Sequence, residues 1–200
     1  MRVNSFEQGT AEWLRSRAGV PSASNFSKLI TSTGKPSTSA DSYINSLIAY
    51  MITGHVEETY KNDHMIRGNE LEPQARAMYE LSTNNVVTEI GFCLHDDIQA
   101  GCSPDGLVGD DGGIEIKCPS SAVHVGYLRQ GTLPTIYKQQ VMGCLWITGR
   151  KWWDFMSFHP EMEDLIVRVN RDDKYINLLA ETVKSAAEVV ISESEKLRRK

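Results

Sequence analysis

The stretch CSPDGLVGDDGGIEIKCP, residues 102–119, carries the strongest structural signal in the chain. Its segment Ile114 to Lys117 reads as a short β-strand bounded by two glycines and a proline. Residues two apart on a strand share a face, so Glu115 and Lys117 project together while Ile116 turns away. We therefore expect a carboxylate and an ammonium side by side on one face of a sheet.

The turn before this strand predicts where Asp105 lies. Asp111-Gly112 is a hairpin signal, and Gly112 suits the left-handed residue that closes a three-residue loop. Such a loop sets Asp105 opposite Lys117. A two-residue loop would turn Asp105 to the other face, because side chains alternate with a period of two. We therefore expect an odd-length loop or a bulge.

Two carboxylates and a lysine on one face suit metal-dependent phosphodiester hydrolysis. Asp105 and Glu115 supply hard oxygen ligands for Mg²⁺ or Mn²⁺. Lys117 can hold an attacking water or stabilise the negative charge that develops on the phosphate. The alternative is a solvated acidic turn beside a lone strand lysine, since the spacing alone is a loose motif. The apolar Ile114 and Ile116 mark a buried strand, where an inward charge needs a partner, and this favours the metal site.

Length and composition indicate one globular domain over residues 1–200. The chain has 200 residues, of which 40% are hydrophobic, enough to bury a full core. No apolar run reaches membrane-spanning length and the N-terminus lacks a signal-peptide core, so a cytoplasmic protein is expected. The net charge of −5 argues against an extended basic surface that wraps nucleic acid. A protein with this net charge can still bind DNA if its basic residues are concentrated in one channel.

The four cysteines do not form a metal-binding pattern. Cys93, Cys102, Cys118 and Cys144 contain no C-x-x-C pair, so zinc and iron–sulfur sites are not expected. Cys102 and Cys118 could approach one another across the hairpin, but reduced thiols are expected in the cytosol.

Periodicity and turn residues predict an α/β (α+β) fold with a central mixed β-sheet flanked by helices on both sides. A loop over Thr31–Ala40 is the best candidate for mobility. A helix around Leu71–Tyr79 should hold Pro73 in its first turn. The expected helices are Ala11–Ser16, Ser24–Ile30, one through Ile44–Met51 that ends at Gly54, one through Leu71–Tyr79, Pro134–Ile147 and one from about Asp172 to the C-terminus; the expected strands are Val86–Leu94, the hairpin around 103–118, Lys151–Phe158 and Leu165–Val169.

Three further sets of polar residues lie outside the hairpin. Glu70 and Glu72 are read as acidic residues that complement the positive N-terminus of their helix. Gln140 is either exposed or directed at the carboxylates. Arg17, before a serine-rich helix start, can hold a phosphate together with that helix N-terminus, or be structural.

Several segments, taken in order, resemble the phage lambda exonuclease or YqaJ-type viral recombinase family of the PD-(D/E)xK nucleases. The resemblance covers nearly the whole chain, and linked motifs in one order are more specific than any single one. It implies a restriction-endonuclease-like core. The similar segments are Glu12-Trp13, residues 17–24, Arg67 to Glu72, Ser103 to Leu107, Glu115 to Pro119, Gln140-Val141, Trp146 and Arg171 to Tyr175.

The resemblance implies a role for each matching residue. Asp105 and Glu115 would bind Mg²⁺, or Mn²⁺ in its place, with the backbone carbonyl of Ile116, and Lys117 would assist the nucleophilic water. Glu72 would support a second metal or its waters. The remaining matches are Gln140 beside the site, and Arg17, Ser24 and Ser103 in a pocket for a 5′-terminal phosphate.

The family also implies an activity and partners. Members degrade the 5′-ended strand of linear double-stranded DNA without ATP, leave 3′ overhangs, form a ring-shaped homotrimer and work with a single-strand annealing recombinase. A phage or prophage protein in a bacterial cytoplasm is expected. A metal-dependent endonuclease or a RecB- or Cas4-like nuclease would share the metal residues, although Cas4-like chains usually carry cluster cysteines. A noncatalytic DNA-binding module would lack a ligand, whereas all three residues of the hairpin are present.

Overall fold

The structure is a computed structural model that describes residues 1–4, 6, 10–54 and 63–198. The helices are α1 (Ala11–Ser16), α2 (Ala40–Thr53), α3 (Asp63–Thr83), α4 (Ser121–Gln130), α5 (Lys138–Thr148) and α6 (Asp173–Leu197), and two 3₁₀ turns cover Ala23–Lys28 and Thr135–Tyr137. The strands are β1 (Arg2–Asn4), β2 (Val87–Thr88), β3 (Phe92–Leu94), β4 (Gly101–Cys102), β5 (Gly106–Val108), β6 (Gly112–Lys117), β7 (Trp152–Ser157) and β8 (Leu165–Asn170). None of the described helices is long and apolar enough to cross a membrane.

A five-stranded sheet forms the centre, in the order β2-β5-β6-β7-β8. The β6–β7 pair is parallel and the other pairs are antiparallel, so the sheet is mixed, as predicted. One face packs Ile114 and Ile116 against Ala75 and Tyr79 of α3. A second core cluster contains Trp153 of β7 together with residues of α2, α5 and α6. Helices therefore flank the sheet on both sides, which confirms the predicted fold class.

The hairpin has the predicted odd-length loop at a different position. Val108 pairs with Gly112 and Gly106 with Ile114, so the loop consists of residues 109–111. Gly109, not Gly112, has the positive φ, at 52°. Gly112 is needed in the strand, because a Cβ there would overlap the ring of Trp152. Extending this register by one residue places Asp105 opposite Glu115, whereas the prediction was Lys117. The difference is two residues, so Asp105 still lies on the predicted face of the sheet.

Pro73 lies inside α3 rather than in its first turn, so that prediction was wrong. The helix begins at Asp63, which also places Glu70 and Glu72 far from its N-terminus. The helix dipole acts within the first turn, and the interpretation of these two residues as dipole partners is wrong as well. A proline inside a helix removes one backbone hydrogen bond. Packing of the fully buried Ala75 and Tyr79 against the sheet offsets that loss.

The predicted strand Val86–Leu94 is two strands in two sheets. Val87–Thr88 pairs with β5, whereas Phe92–Leu94 pairs with β1 and β4 in a separate three-stranded sheet. The chain crosses between them at Gly91, where a Cβ would overlap the backbone oxygen of Asn4. A close approach of this kind leaves no apolar pattern in the sequence, and only the glycine itself hints at it.

Two helical regions also differ from expectation. Helix α4, Ser121–Gln130, was not predicted, because only His124 is buried in it and its sequence lacks an apolar stripe. The predicted helix Pro134–Ile147 is a 3₁₀ turn followed by α5. The segment 31–39 is a loop, as predicted, and α2 begins at Ala40. Tyr175 donates to the Thr31 oxygen at 2.9 Å and Lys138 donates to the Ser32 oxygen at 3.2 Å, so the start of the loop is held to the fold. Its mobility stays a prediction.

All four cysteines are free. The cross-strand neighbour of Cys102 is Cys93, in the β3–β4 pair, and not Cys118.

Candidate active site

Asp105 lies immediately before β5 and is fixed to the neighbouring strand. Its Oδ2 accepts a hydrogen bond from the backbone N–H of Ile116 at 2.6 Å. In an antiparallel pair the N–H and the C=O of one residue point to the same side. The Ile116 carbonyl, which the family resemblance implies as a ligand, therefore faces the side of the strand on which Asp105 lies.

Glu115 is fully buried in the middle of the site, at 0% exposed. Its Oε1 accepts from the Lys117 ammonium and from Nε2 of Gln140, the latter at 2.5 Å. Its Oε2 is buried and has no hydrogen-bond partner. Gln140 therefore faces the carboxylates, which settles the choice between an exposed and an inward position.

The electrostatics of Glu115 favour the neutral form when no further cation is present. Burial, and then the nearby charge of Asp105, raise the pKa of Glu115 to about 8, although Lys117 acts against this. Burial also raises the pKa of Asp105. The Glu115 carboxyl group thus has both a raised pKa and an oxygen without a hydrogen-bond partner, as expected of a site that lacks positive charge.

Lys117 is a cation in direct contact with Glu115. Burial alone would lower the pKa of Lys117, but the charges of Glu115 and Asp105 outweigh it and raise that pKa. Its Nζ also lies 5.6 Å from the centre of the Tyr137 ring. Lys117 therefore stays protonated and can donate hydrogen bonds, but it is not poised to remove a proton. Tyr137 was not singled out from the sequence, where only its place before Gln140 pointed to it.

Glu72 approaches the same site from α3. Burial, and then the charge of Asp105, raise the pKa of Glu72, which shows that the two carboxylates act on one another. Its Oε1 accepts from a terminal nitrogen of Arg76 at 2.8 Å. Arg76 was not singled out from the sequence, although it follows Glu72 by four residues, the usual spacing of an ion pair on a helix.

The carboxylates do not form a closed cage of their own. Within the described parts of the chain, no three side chains of histidine, cysteine, aspartate or glutamate lie close enough to hold a metal ion. Mg²⁺ usually keeps several waters and takes only one or two protein carboxylates, so Asp105, Glu115 and the Ile116 carbonyl are a sufficient ligand set for it.

Arg17 and Ser24 belong to a second cluster. A terminal nitrogen of Arg17 donates to Ser22 Oγ at 3.2 Å, and Ser22 Oγ lies 3.4 Å from Ser24 Oγ. Nδ2 of Asn25 donates to Ser22 Oγ at 3.3 Å. The Arg17 guanidinium lies 4.1 Å from the Trp13 ring centre, and burial lowers the pKa of Arg17. Neither Ser22 nor Asn25 was assigned to this cluster from the sequence, although Ser22 lies in the family-like segment 17–24 and Asn25 directly follows Ser24.

Ser103 lies two residues before Asp105 in the chain. Its hydroxyl is buried and has no hydrogen-bond partner. The preceding strand β4 is bridged to the serine cluster, since Gly101 pairs with Ser22. The structure thus groups Asp105, Glu115, Lys117 and Gln140 directly, brings Glu72 beside them, and holds Arg17 with Ser24 in a neighbouring cluster. It shows no contact between Ser103 and Arg17, and the roles predicted for all these residues remain predictions.

Comparison with known proteins finds one matching family model and solved structures of exonucleases. A family model described as the YqaJ-like viral recombinase domain matches residues 12–151. The alkaline exonuclease LHK-Exo from Laribacter hongkongensis is 35% identical, with 94% of this chain and 96% of that chain covered and a TM-score of 0.85. The same enzyme in complex with dAMP superimposes with a TM-score of 0.84, at the same 35% identity and the same coverage of 94% and 96%.

A phage-related exonuclease from Haemophilus somnus 129PT shares the fold at 16% identity, with a TM-score of 0.65 over 89% of this chain and 96% of that chain. No curated protein sequence matches significantly.

Proposed function

The chain belongs to the YqaJ-like viral recombinase family, and we propose that it is a metal-dependent exonuclease that degrades the 5′-ended strand of linear double-stranded DNA without ATP. Its product would be a duplex with a 3′ single-stranded overhang, the substrate for single-strand annealing recombination. Support comes from the relative LHK-Exo, described as an alkaline exonuclease. The observation that carries the proposal is the buried Glu115, which has one oxygen without a partner beside Asp105 and Lys117.

The residues fit a hard divalent cation, Mg²⁺ or Mn²⁺ in its place. Asp105, Glu115 and the Ile116 carbonyl would hold it, with Glu72 supporting a second ion or bound waters. A positive ion beside the unpartnered Glu115 Oε2 would remove the electrostatic cost that raises the pKa of this group. When bound, such an ion supplies a Lewis acid for the phosphodiester and lowers the pKa of a coordinated water.

The protein's own groups would orient the reaction around this ion. Lys117 stays protonated, so it would act by holding the attacking water and by stabilising negative charge on the phosphate. Gln140 donates to Glu115 Oε1, and this contact leaves Oε2 as the free oxygen. The site is thus assembled from β6, α5 and the segment immediately before β5.

We further propose that Arg17, Ser24 and Ser103 bind the 5′-terminal phosphate. The support is a half-buried guanidinium beside two serine hydroxyls, together with a buried Ser103 hydroxyl that has no partner. Arginine and hydroxyl donors are the common ligands of a phosphate. A substrate held by its end would explain a preference for 5′-phosphorylated ends.

The assembly and setting are proposals from family membership. They are a single nuclease domain over residues 1–200, a ring-shaped homotrimer, cooperation with a single-strand annealing recombinase, and a phage or prophage protein acting in a bacterial cytoplasm. The net charge of −5 fits a ring whose basic residues face the DNA.

An assay with linear and closed circular duplex of the same sequence tests the reaction class. The exonuclease account predicts that Mg²⁺-dependent hydrolysis occurs only on the linear DNA, with mononucleotides released from the 5′-ended strand. Cleavage of the closed circle would instead identify an endonuclease built on the same residues.

A further inference from the structure

Arg76 makes two ion pairs from one side of the site. One terminal nitrogen contacts Glu72 Oε1 at 2.8 Å and the other contacts Glu89 Oε1 at 2.5 Å. Its side chain is 15% exposed, whereas that of Glu89 is 72% exposed. Exposed ion pairs are weak because water screens them, so the contact with the half-buried Glu72 dominates. Arg76 is thus held chiefly by a carboxylate of the site.

The charge of Arg76 reaches beyond its direct contact. It lowers the pKa of Glu72 and also that of Asp105, against the effect of burial on both groups. Lys117 acts in the same direction on Asp105, Glu115 and Glu72. The site therefore combines three carboxylates with two cations. Asp105, Glu115 and Lys117 come from the hairpin, and Glu72 and Arg76 come from α3.

This arrangement has a simple charge balance. With all five groups ionised, the site carries one net negative charge. A divalent cation converts this to one net positive charge, and a phosphodiester then neutralises it. Without Arg76 the metal-loaded site would already be neutral, and the substrate phosphate would leave it negative. Charge effects of this kind are strong where water is partly excluded.

We propose that Arg76 is a positioning residue that fixes Glu72 and sets the charge of the site, weakening metal binding while strengthening binding of the DNA phosphate to the metal-loaded site. This inference rests on the proposed function, since it assumes a divalent cation at Asp105 and Glu115. It makes an unusual prediction, because the two affinities should move in opposite directions when Arg76 loses its charge. A purely structural arginine would weaken both.

The test uses the full-length chain and two separate binding measurements at pH 8. Mn²⁺ is titrated by calorimetry, and a 5′-phosphorylated duplex with phosphorothioate linkages, which resists hydrolysis, is then titrated into the Mn²⁺-loaded protein by fluorescence anisotropy. In Arg76→Gln, which keeps a hydrogen-bond donor for Glu72, Mn²⁺ should bind about threefold more tightly or better, and the duplex should bind at least about fivefold more weakly.

Two variants serve as controls. Arg76→Lys keeps the charge, so both affinities should stay within about twofold of wild type. Arg129→Gln removes one positive charge at an exposed position of α4 and should leave Mn²⁺ binding unchanged. Circular dichroism checks that each variant is folded, and Arg76→Lys still tests the charge argument if Arg76→Gln is unfolded.

The outcomes separate this inference from the proposed function. Wild-type protein that binds no Mn²⁺ overturns the metal-dependent function, and this inference with it. Wild-type binding, with both affinities weakened or both unchanged in folded Arg76→Gln, overturns the inference alone. Loss of DNA binding in Arg76→Lys equal to that in Arg76→Gln also overturns it, because the charge would then not be the cause.

Discussion

Glu115 illustrates how one residue reports on the state of the whole site. It is fully buried, and its pKa of about 8 lies above its ordinary value of 4.5. The folded protein therefore binds this proton more tightly than the unfolded chain does. The resulting stabilisation is complete below about pH 4.5 and is lost as the pH rises through about 8.

We accordingly expect that, in EDTA, the free energy of unfolding of the wild type falls between pH 5 and pH 9 relative to that of Glu115→Gln. The change should be at least about 2 kcal/mol, measured by urea unfolding at each pH. The other carboxylates are present in both proteins and contribute to both curves. A difference between the two proteins that does not vary with pH would show that Glu115 is ionised throughout.

Arg17 is the residue on which the phosphate pocket depends. Arg17→Ala should abolish most of the preference for 5′-phosphorylated over 5′-hydroxyl ends, a loss of about tenfold or more, since hydrogen bonds between charged groups are worth about 1.5–3 kcal/mol. Arg17→Lys should restore it only in part, because lysine lacks the paired donors of arginine. Hydrolysis rates on matched duplexes give the ratio.

Arg15→Ala is the matched control for this experiment, because Arg15 lies on the neighbouring helix α1 and its side chain is 68% exposed. It should leave the preference unchanged. Equal slowing of hydrolysis on both end types in Arg17→Ala would contradict the phosphate pocket. Arg17 would then have a structural role, through its contacts with the rings of Trp13 and Phe92.

At the scale of elements, the hairpin was predictable because alternation is a local rule. Ile114 and Ile116 pack into one core cluster, so Glu115 and Lys117 had to face the other side. The parity of the loop followed from the need to bring Asp105 to that side. The position of the loop did not follow, because it depends on Gly112 packing against Trp152, a residue far along the chain.

The elements that were missed depend on contacts that the sequence does not display. Pro73 is accommodated because α3 packs on the sheet, a tertiary effect that outweighs local propensity. Gly91 separates two strands through a contact with β1. Helix α4 has almost no buried face, so its periodicity carries no signal. The parts of the site on the hairpin were thus predictable from local pattern, whereas Gln140, Glu72 and Arg17 depended on family resemblance.

The packing of β6 on β7 gives a prediction about an element. A Cβ on Gly113 would overlap the fully buried ring of Trp153. Gly113→Ala should therefore lower the free energy of unfolding by at least about 2 kcal/mol, measured by urea denaturation. Since Gly113 and Glu115 share a face of β6, the displacement should also reduce hydrolysis.

Gly126→Ala is the control, because a Cβ at this exposed position of α4 would meet no atom within 4 Å. It should stabilise the protein by about 0.5–1 kcal/mol, since alanine is the better helix former. Equal stability changes in the two variants would contradict the packing of β6 described above.

For the whole molecule, the proposed ring predicts a mass near three times the 22.4 kDa of one chain, by light scattering at micromolar concentration. A trimer multiplies the net charge of −5 threefold, which opposes general adhesion to DNA. Sustained contact must then come from encirclement, and degradation of a loaded duplex should continue after a heparin trap is added. A monomeric mass, or degradation that stops when the trap is added, would refute the ring.

The central claim is that Asp105 and Glu115 hold a metal that drives hydrolysis from a 5′ end. The most direct measurement follows both strands of a linear 5′-phosphorylated duplex with wild type and Asp105→Ala, in Mg²⁺ and in EDTA, with thermal melting in EDTA to confirm that the variant is folded. We predict that strands are degraded from their 5′ ends by wild type in Mg²⁺ and under no other of these conditions. Degradation should be slower when the 5′ phosphate is absent. Degradation by folded Asp105→Ala at the wild-type rate, or by wild type in EDTA, would contradict the account.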